Sequence, residues 1–496
     1  MLIEREPRYC LPSFEVFEDK KFFPWPAGLN EGSPCDLLLI NAPFRPEERD
    51  RDYIPNSPLG LGYILTVASA AGKNCGLIDG EGLGLTPEKV AQAANDIQPE
   101  YVGINLFSPI VKTTLELVAE LRPRSSIILG GPHASICSEE VLARESAVPI
   151  VVVRGEGEVT VKEILEGRPV DKIEGISYRK GEKIIHNPGR EFIKDLDSLP
   201  FVNRDFFEVD PYKRDGYVVS SVSTSRGCFY QCTFCAGPVL SGRMVRFRSM
   251  SNVIREIKEL VESQYAVNYI RFTDDCFLLG KNRAKEFLNE LEKEDLMGRF
   301  RWDALIRADT ILGFSDEILK NLKKSGVEFL SMGIETSDPK RLEAIQKGIT
   351  LEETERAVER CANYDIPVKG FFILGFPGET EEDMWWTVNF ALNLRKQGMA
   401  MATFNELRPY PGTAIWFELL EEGWKPQELA NYQYVSLSLP EDEKSVNQYL
   451  RERGKHFTGL RRSISAVPPQ KLREILREAI LAFGPSGIPF YEGRCS

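Results

Sequence analysis

Three cysteines stand close together near the middle of the chain, at Cys228, Cys232 and Cys235, within the stretch RGCFYQCTFC. At this CxxxCxxC spacing three thiolates can each bind one iron of a cubane iron–sulfur cluster, which leaves the fourth iron open to another ligand. Zinc is the alternative metal, because CxxC spacing also suits it, but a structural zinc site takes a fourth protein ligand. No histidine or further cysteine lies within about 40 residues on either side, which favours the cluster over zinc and over chance.

The run that leads into these cysteines, YVVSSVSTSRG, predicts a β-strand that ends just before Cys228. Barrel enzymes build their active sites at the carboxyl ends of such strands. An open iron at this place can bind a substrate atom directly, so we expect the cluster to be a reaction site and not only an electron store.

The composition of the 496-residue chain limits the classes of protein in which such a site can occur. Apolar residues make up 42% and charged residues 27%, which is typical of a folded globular protein. The net charge of -12 opposes binding to nucleic acid; the one basic stretch, GRMVRFR, is interpreted as a solvated or ligand-lining turn. No apolar run has the length of a transmembrane helix or the character of a signal peptide, so we expect a cytoplasmic protein with reduced thiols.

Short apolar runs alternate with amphipathic stretches in residues 36–166 and again in 217–415. This α/β alternation predicts parallel strands joined by crossover helices. The first stretch is predicted to be a doubly wound, Rossmann-like domain. The second has six strand–helix units, with the last helix indistinct, and six units are two short of a closed barrel, so a partial (β/α)6 barrel is predicted.

Three further segments frame these domains: an N-terminal extension at 1–35, a hairpin and polar linker at 167–216, and a mixed, mostly helical segment at 416–496. The hairpin is expected to turn at Lys180 and Gly181. The last segment is predicted to cap the substrate site, although its aromatic residues could equally form a small core of their own.

The cysteine stretch, with Phe234 directly before the third cysteine, resembles the signature of the radical S-adenosylmethionine (radical SAM) superfamily, and the resemblance extends over residues 217–415. It implies a 4Fe-4S cluster whose open iron is chelated by the amino and carboxylate groups of S-adenosylmethionine (SAM). An injected electron would cleave the sulfonium and release a 5'-deoxyadenosyl radical. A reduced flavodoxin or ferredoxin-type protein is the implied electron donor.

The resemblance also implies a SAM site at the ends of later strands. The implied residues are Asp274 and Asp275 in RFTDDCF, Arg307 in ALIRAD, Glu335 in SMGIETSD, and Gly375, Pro377 and Gly378 in GFFILGFPGET. The family's usual Gly-Gly-Glu motif is absent, so both aspartates stay candidates for the methionine amine. Each residue also has a structural interpretation: Asp274 could cap a helix, Arg307 could pair with Asp303 or Asp309, and Gly378 could permit a turn.

Glycine-rich turns follow predicted strands of the first domain, in LGGPHAS at 129–135 and RGEGE at 154–158. Doubly wound sheets bind ligands at the carboxyl ends of their strands, and glycines there let the backbone approach a large ligand; helix packing is the alternative. Their order before the cysteine motif resembles the cobalamin-binding subclass of radical SAM enzymes. The implied cobalamin-binding residues are Ser108, Gly130, Gly131, Pro132, His133, Gly155, Glu156 and Gly157.

The DxHxxG motif of classical cobalamin domains is absent after the first strand, and the chain has only three histidines, His133, His186 and His456. The resemblance therefore implies a cobalt without a histidine ligand from that loop. His133 is expected to line the pocket for the nucleotide tail or to satisfy a turn.

The subclass implies methylation of an unactivated carbon of a small molecule or natural product, after hydrogen abstraction by the deoxyadenosyl radical. A second SAM would remethylate the cobalamin. Beyond the cluster, Tyr410 in RPYPGT is the candidate catalytic residue.

Three other functions stay open. The first is cyclisation or ring rearrangement with the same cofactors. The second is an enzyme with a vestigial α/β domain or a methylthiotransferase, although the single, scattered cysteines of the first domain oppose a second cluster. The third is a non-catalytic cobalamin-binding or electron-transfer protein.

Overall fold

Two seven-stranded sheets organise the described part of the chain, which in this computed structural model comprises residues 26–30, 32–43, 56–207, 212–214, 216–429 and 463–484. A two-stranded ribbon is inserted in the sequence of the second sheet. Among the described helices, none is long and apolar enough to cross a membrane.

The first sheet consists of β1 (Leu37–Asn41), β2 (Cys75–Asp79), β3 (Tyr101–Asn105), β4 (Ser126–Gly130), β5 (Ile150–Val153), β6 (Ile176–Lys180) and β7 (Lys183–His186). The strand order is β2-β1-β3-β4-β5-β6-β7, and the first five strands pair in parallel. The predicted hairpin is confirmed as β6 and β7, and it extends this sheet because β6 pairs antiparallel with β5.

Helices cover both faces of the first sheet: α1 (Leu59–Ala70), α2 (Pro87–Ile97), α3 (Val111–Glu120), α4 (Gly131–Ile136), α5 (Ser138–Ala143) and α6 (Glu158–Leu165). In β1, Leu38 and Ile40 join the apolar core on one face, and Leu37 and Leu39 join the core on the other. Burial on both faces explains why the strand reads as an unbroken apolar run, and it confirms the doubly wound domain.

The second sheet forms the predicted partial barrel, and the ribbon strands follow its second strand in sequence. Its strands are β8 (Lys213–Arg214), β9 (Tyr217–Val222), β12 (Tyr269–Phe272), β13 (Arg301–Ile306), β14 (Val327–Glu335), β15 (Val368–Leu374) and β16 (Met399–Glu406), and the ribbon is β10 (Ser225–Arg226) with β11 (Arg246–Phe247). The order is β16-β15-β14-β13-β12-β9-β8. Six strands pair in parallel, whereas β8 pairs antiparallel at the edge. Because β9 and β16 are not neighbours in this order, the barrel is open, as predicted.

The helices within the ribbon loop and after these strands are α7 (Gly237–Ser241), α8 (Met250–Glu262), α9 (Lys281–Lys293), α10 (Ala308–Leu312), α11 (Asp316–Lys324), α12 (Pro339–Ala344), α13 (Leu351–Ala362), α14 (Glu381–Lys396), α15 (Ala414–Glu421), α16 (Pro426–Leu429) and α17 (Pro469–Phe483). Aromatic rings fill the core beneath them. The centroids of Phe272 and Phe277 lie 4.2 Å apart, and Trp302 meets both edge to face. The indole N–H of Trp302 donates to the Ser325 hydroxyl over 3.1 Å, so this large side chain is buried without an unpaired donor.

The last helix, α17, takes the place of the sixth outer helix that the sequence left indistinct. It packs against β16 and α14, and Leu472, Ile475 and Phe483 are buried in the barrel core. The inner face of α17 therefore belongs to the barrel. The capping role of residues 416–496 stays a prediction, since 430–462 and 485–496 lie outside the described residues.

Candidate active site

The loop that carries the three cysteines runs between the ribbon strands β10 and β11. Gly227, directly before Cys228, has a φ of +95°, and a Cβ there would lie 2.1 Å from the carbonyl oxygen of Met244. Only glycine therefore allows this turn. The three cysteine side chains are partly exposed, and the backbone N–H of Gly237 donates to Cys235 Sγ over 3.3 Å.

Two cations lie beside the cysteine loop, Arg307 after β13 and Lys347 after α12. The guanidinium of Arg307 donates to the carbonyl oxygen of Lys347 over 2.8 Å, and Lys347 Nζ donates to Glu335 Oε1 over 2.7 Å. Burial raises the pKa of Cys232, whereas the charges of Lys347 and Arg307 lower it. The two cations therefore favour the thiolate form and a negatively charged group at this place.

Arg307 anchors the cysteine loop to the end of β13. Its Nε donates to Asp309 Oδ1 over 3.1 Å, which is one of the pairings considered from the sequence. The guanidinium also lies 3.5 Å from the ring centroid of Tyr230, and the Tyr230 hydroxyl donates to Asp309 Oδ2 over 3.1 Å. Because Tyr230 lies between the first two cysteines of the motif, these contacts order the loop itself.

Glu335 ends β14 in a left-handed conformation, with a φ of +70°, at a register shift between β14 and β15. Such a conformation is uncommon for a residue other than glycine and is found preferentially at functional sites. Gly333 leaves room for the ion pair, since a Cβ there would lie 2.4 Å from Glu335 Oε1 and 2.6 Å from Lys347 Nζ. Sequence reasoning identified Glu335 but missed Lys347, because a single lysine in KGIT carries no motif signal.

The two aspartates of RFTDDCF have different hydrogen-bond partners in the structure. Asp274 is buried, and its carboxylate accepts hydrogen bonds from the Thr224 N–H over 3.0 Å, from the Thr224 hydroxyl over 2.7 Å and from the Ser225 hydroxyl. Asp274 therefore supports the segment before the cysteine loop. Asp275 accepts a hydrogen bond from the Gly227 N–H, and burial raises its pKa. Of the two, Asp275 is the residue that lies beside the thiols, and its charge raises the pKa of Cys235.

Glu379 holds the glycine-rich turn after β15. Gly375 and Gly378 have φ of +97° and +69°, so both require the left-handed region. Glu379 Oε2 accepts hydrogen bonds from the N–H groups of Gly375 over 2.5 Å and of Phe376 over 3.0 Å. Pro377 is partly exposed, Gly378 is exposed and Glu379 is fully buried.

An apolar cluster lies against the cysteine loop and contains Tyr410. The rings of Phe234 and Phe376 pack edge to face with centroids 6.2 Å apart, and Tyr410 packs in the same cluster with Ile345. The candidate catalytic tyrosine thus packs in the same apolar cluster as Phe234, which directly precedes the third cysteine.

Ser108 and His133 meet at the carboxyl ends of β3 and β4 in the first domain. Ser108 Oγ lies 2.9 Å from His133 Nδ1, and both side chains are buried. Burial lowers the pKa of His133 to about 4, so the imidazole is neutral at neutral pH. The histidine thus connects two strand ends, and its two predicted roles stay predictions.

The GGP turn begins α4, where Gly130 precedes the helix and Pro132 occupies its first turn. Gly131 has a φ of +89°, and a Cβ there would lie 1.8 Å from Asn105 Oδ1. The backbone therefore passes close to β3 in a conformation that requires glycine.

The RGEGE loop joins the two domains. Gly155 has a φ of +77°, with open space where a Cβ would lie, and Gly157 precedes α6. Glu156 Oε1 accepts hydrogen bonds from Arg226 Nη1 and Arg246 Nη1, each over 2.9 Å. The side chain of Glu156, predicted to face cobalamin, is thus bonded to the barrel.

The basic stretch GRMVRFR is ordered by ion pairs. Arg246 bonds to Glu156, and Arg248 Nη1 donates to Glu256 Oε2 over 2.6 Å. Arg248 is also buried. The expectation of a solvated turn is therefore wrong for these two arginines, whereas a ligand-lining role for the stretch stays a prediction.

The strand-end edges of the two domains meet near the cysteine loop. A Cβ on Gly412, after β16, would lie 3.1 Å from Ile136 Cγ2 at the end of α4 and 3.3 Å from Val239 Cγ1 in α7. A second contact joins Arg271 Nη1 of β12 to Asn56 Oδ1 over 2.9 Å. The loops at the strand ends of the first sheet therefore contact the end of the barrel that carries the cysteine loop.

Known proteins resemble both halves of the chain. Residues 222–391 match the model of the radical SAM superfamily, and residues 55–165 match the B12 binding domain. An uncharacterized methyltransferase of Pyrococcus horikoshii is 33% identical over 366 residues, which are 72% of this chain and 77% of that protein. The chain belongs to the cobalamin-binding branch of the radical SAM superfamily.

Membership in this branch confirms the three predicted cofactors, a 4Fe-4S cluster, SAM and cobalamin, and it decides against zinc. This radical SAM enzyme also resembles the anaerobic magnesium-protoporphyrin IX monomethyl ester cyclase of Cereibacter sphaeroides, with 26% identity over 349 residues. That match spans 68% of this chain and 55% of the cyclase.

Among solved structures, the radical SAM methyltransferase TsrM from Kitasatospora setae, bound to tryptophan and a SAM analog, superposes with a TM-score of 0.65. The match covers 78% of this chain and 76% of TsrM at 21% identity, which shows a shared fold.

The residues of this radical SAM enzyme fit its cofactors. Three partly exposed thiols beside two cations suit a cluster that carries negative charge. In the first domain, Gly155 leaves open space beside the backbone after β5, so that a large ligand can approach it closely, whereas Gly131 allows the tight turn after β4.

Proposed function

We propose that this radical SAM enzyme is a cobalamin-dependent C-methyltransferase that acts on a small molecule. The contact of α4 with α7 and the turn after β16 carries the proposal, because it brings both cofactor-binding edges to one boundary. A methyl donor and a hydrogen-abstracting group serve one reaction only when both can reach the same carbon.

The proposed reaction balances with two molecules of SAM. When bound, the cluster and SAM supply the 5'-deoxyadenosyl radical, and cobalamin supplies the methyl group. For a substrate R–H, two SAM and two electrons give R–CH3, 5'-deoxyadenosine, methionine and S-adenosylhomocysteine. One C–H bond of the substrate breaks, one C–C bond forms, and the hydrogen atom ends in deoxyadenosine. The electrons come, in this proposal, from a flavodoxin or ferredoxin-type donor.

Each group of side chains has a task in the proposal. Cys228, Cys232 and Cys235 hold the cluster. The proposed SAM site consists of Asp275, Arg307, Glu335, Lys347, Gly375, Pro377 and Gly378, with Asp274 as its support. The proposed cobalamin site consists of Ser108, Gly130, Gly131, Pro132, His133, Gly155 and Gly157, with the backbone of Glu156.

The two domains and the last segment have different roles in the proposal. Residues 36–166 hold cobalamin, residues 217–415 carry the radical chemistry, and residues 416–496 cap the substrate. The apolar cluster around Phe234, Phe376 and Tyr410 keeps water from the cysteine loop. A cytoplasmic location stays part of the proposal.

A ring-forming reaction with the same cofactors is the second candidate function, and the relative named as a cyclase favours it. Such a reaction would also break a C–H bond. It would not consume the methyl group, so its product would gain no methyl mass and no S-adenosylhomocysteine would form.

The test is anaerobic reconstitution of the full chain with iron, sulfide and hydroxocobalamin, followed by mass spectrometry of the nucleosides formed from SAM. Equal amounts of deoxyadenosine and S-adenosylhomocysteine support methyl transfer. Deoxyadenosine alone supports the ring-forming reaction. A reconstituted chain that retains no cobalamin contradicts both.

The cluster assignment has a matched control in Cys276, which is buried close to the cysteine loop but lies outside the motif. Cys235→Ala is expected to lose the cluster and all SAM cleavage. Cys276→Ala is expected to keep both. Equal iron content in the two variants would contradict the assignment.

A further inference from the structure

The cysteine loop is closed at its base by two arginines that face each other. Arg226 on β10 pairs with Arg246 on β11 in the antiparallel ribbon, and the ribbon brackets all three cysteines. Like charges directly opposite each other on paired strands repel. The base of the loop therefore needs a compensating charge to stay closed.

That charge comes from the other domain, from two glutamates of the RGEGE loop. Glu156 Oε1 accepts hydrogen bonds from both Arg226 and Arg246 over 2.9 Å, so one oxygen lies between the two guanidinium groups. Glu158 Oε1 accepts a second bond from Arg226, through Nη2, over 2.6 Å. The four side chains retain between 5% and 21% exposure, so the ion pairs are shielded from most solvent.

Neighbouring groups hold this arrangement in place. Arg226 lies over the ring of Tyr63 with 5.1 Å to the centroid, and Arg246 lies over Phe192 with 4.7 Å. The backbone N–H of Ile193 donates to Glu156 Oε2 over 2.7 Å. Both arginines are therefore confined where their charges meet the two carboxylates.

The geometry assigns Glu156 and Glu158 as positioning residues for the iron–sulfur loop. These two residues of the cobalamin-binding domain neutralise Arg226 and Arg246 and thereby hold the base of the loop closed. The inference rests on the proposed function in one respect, the placement of the cluster at Cys228, Cys232 and Cys235. The loop after β5, where the cobalamin site is proposed, is thereby tied directly to the cluster.

Removal of the Glu156 carboxylate leaves the shielded Arg246 without its carboxylate partner. The unpaired charge destabilises the closed base, because a partly buried guanidinium is costly without a counter-charge. We expect iron to leave the cluster on the order of tenfold faster in Glu156→Gln, and faster to a smaller degree in Glu158→Gln, which leaves Arg226 one carboxylate. Glu156→Gln/Arg246→Gln removes the opposed charge and is expected to return the rate close to that of the unaltered chain.

The experiment uses the full chain, reconstituted without oxygen, with an iron chelator and the visible absorbance of the cluster as the readout. The electron paramagnetic resonance spectrum of the reduced cluster is recorded as a second readout, because a change in loop geometry shifts it while a general loss of stability does not. Glu294→Gln is the matched control. It breaks an exposed ion pair of 2.9 Å with Lys258 in the same barrel and is expected to leave both readouts unchanged.

Faster iron release in Glu156→Gln with restoration in the double variant supports the inference. Wild-type release in Glu156→Gln and Glu158→Gln overturns it, and so does a double variant as fast as Glu156→Gln alone. If Glu156→Gln does not fold, the double variant is compared with Arg246→Gln, which keeps both carboxylates and is expected to release iron at the wild-type rate. A double variant that also releases iron at this rate supports the inference, and a faster one overturns it. Failure of methyl transfer alone leaves the inference standing, whereas iron retention in Cys235→Ala removes the cluster site on which it rests.

Discussion

Glu379 makes the stability of the barrel depend on pH in a direction opposite to that of most carboxylates. Its side chain is fully buried, and its Oε1 lies 3.7 Å from Arg341 Nη1, beyond hydrogen-bond distance. Burial raises the pKa of Glu379 from 4.5 to about 7, although Arg341 and the N–H groups of Gly375 and Phe376 act in the other direction. The perturbation that tests this is Glu379→Gln, which removes the charge and keeps an oxygen that can accept the two backbone hydrogen bonds.

The sign follows from the protons bound in each state. Between pH 4.5 and about 7 the unfolded chain has released the proton of this carboxyl while the folded chain still holds it, so stability falls as pH rises. The interval from 4.5 to about 7 corresponds to about 3 kcal/mol, reached in full above pH 7. Glu379→Gln has no ionisable group at this position, so it does not lose this stability as the pH rises. We therefore expect its stability relative to the unaltered chain to rise by up to about 3 kcal/mol from pH 4.5 to pH 8.

The assay is urea unfolding of both proteins at pH 5 and pH 8, followed by circular dichroism. Asp383→Asn is the control with the opposite sign. Hydrogen bonds from the Thr380 N–H lower the pKa of Asp383, so this carboxylate stabilises the fold above its ordinary pKa of 3.8 and its loss should cost stability at both pH values. A difference between Glu379→Gln and the unaltered chain that is the same at pH 5 and pH 8 would refute the reasoning.

Three further predictions concern the two cofactor edges and the core. Gly131→Ala places a Cβ against Asn105 in a left-handed conformation, so we expect little cobalamin retained by absorbance; Gly72→Ala, which is also left-handed with open space but lies outside the proposed site, should retain it, and equal retention would contradict the role of the turn. Lys347→Met leaves Glu335 buried without its cation, which should cost about 3–5 kcal/mol in urea unfolding and weaken SAM binding in equilibrium dialysis. An unchanged affinity for SAM would remove Lys347 from the site. Trp302→Ala should lower the free energy of unfolding by about 3–5 kcal/mol, and Trp302→Phe by less, because Phe keeps the aromatic packing and loses the hydrogen bond to Ser325. Equal losses in the two variants would show that packing is not the main contribution.

The chain's local patterns determined the two sheets, the hairpin and the cysteine motif. Strands buried on both faces are mostly apolar, as in the LLLI of β1, and a turn with positive φ favours glycine, as at Gly131 and Gly375. These requirements act on neighbouring residues, so the sequence displays them directly. The cysteine spacing is equally local, since all three thiols belong to one loop.

Only the tertiary structure decided which charged groups meet. Glu156 lies 70 residues from Arg226 and 90 from Arg246, and Lys347 lies 12 from Glu335, so no spacing or periodicity connects these partners. The same holds for Asp274 and Asp275, which are adjacent in sequence and bond to different residues of the segment before Cys228. An ion pair needs only two opposite charges brought together by the fold, and each charge alone is indistinguishable in sequence from a solvated one. For this reason the sequence revealed which cofactors the chain uses, whereas the fold revealed how one domain holds the other's cysteine loop.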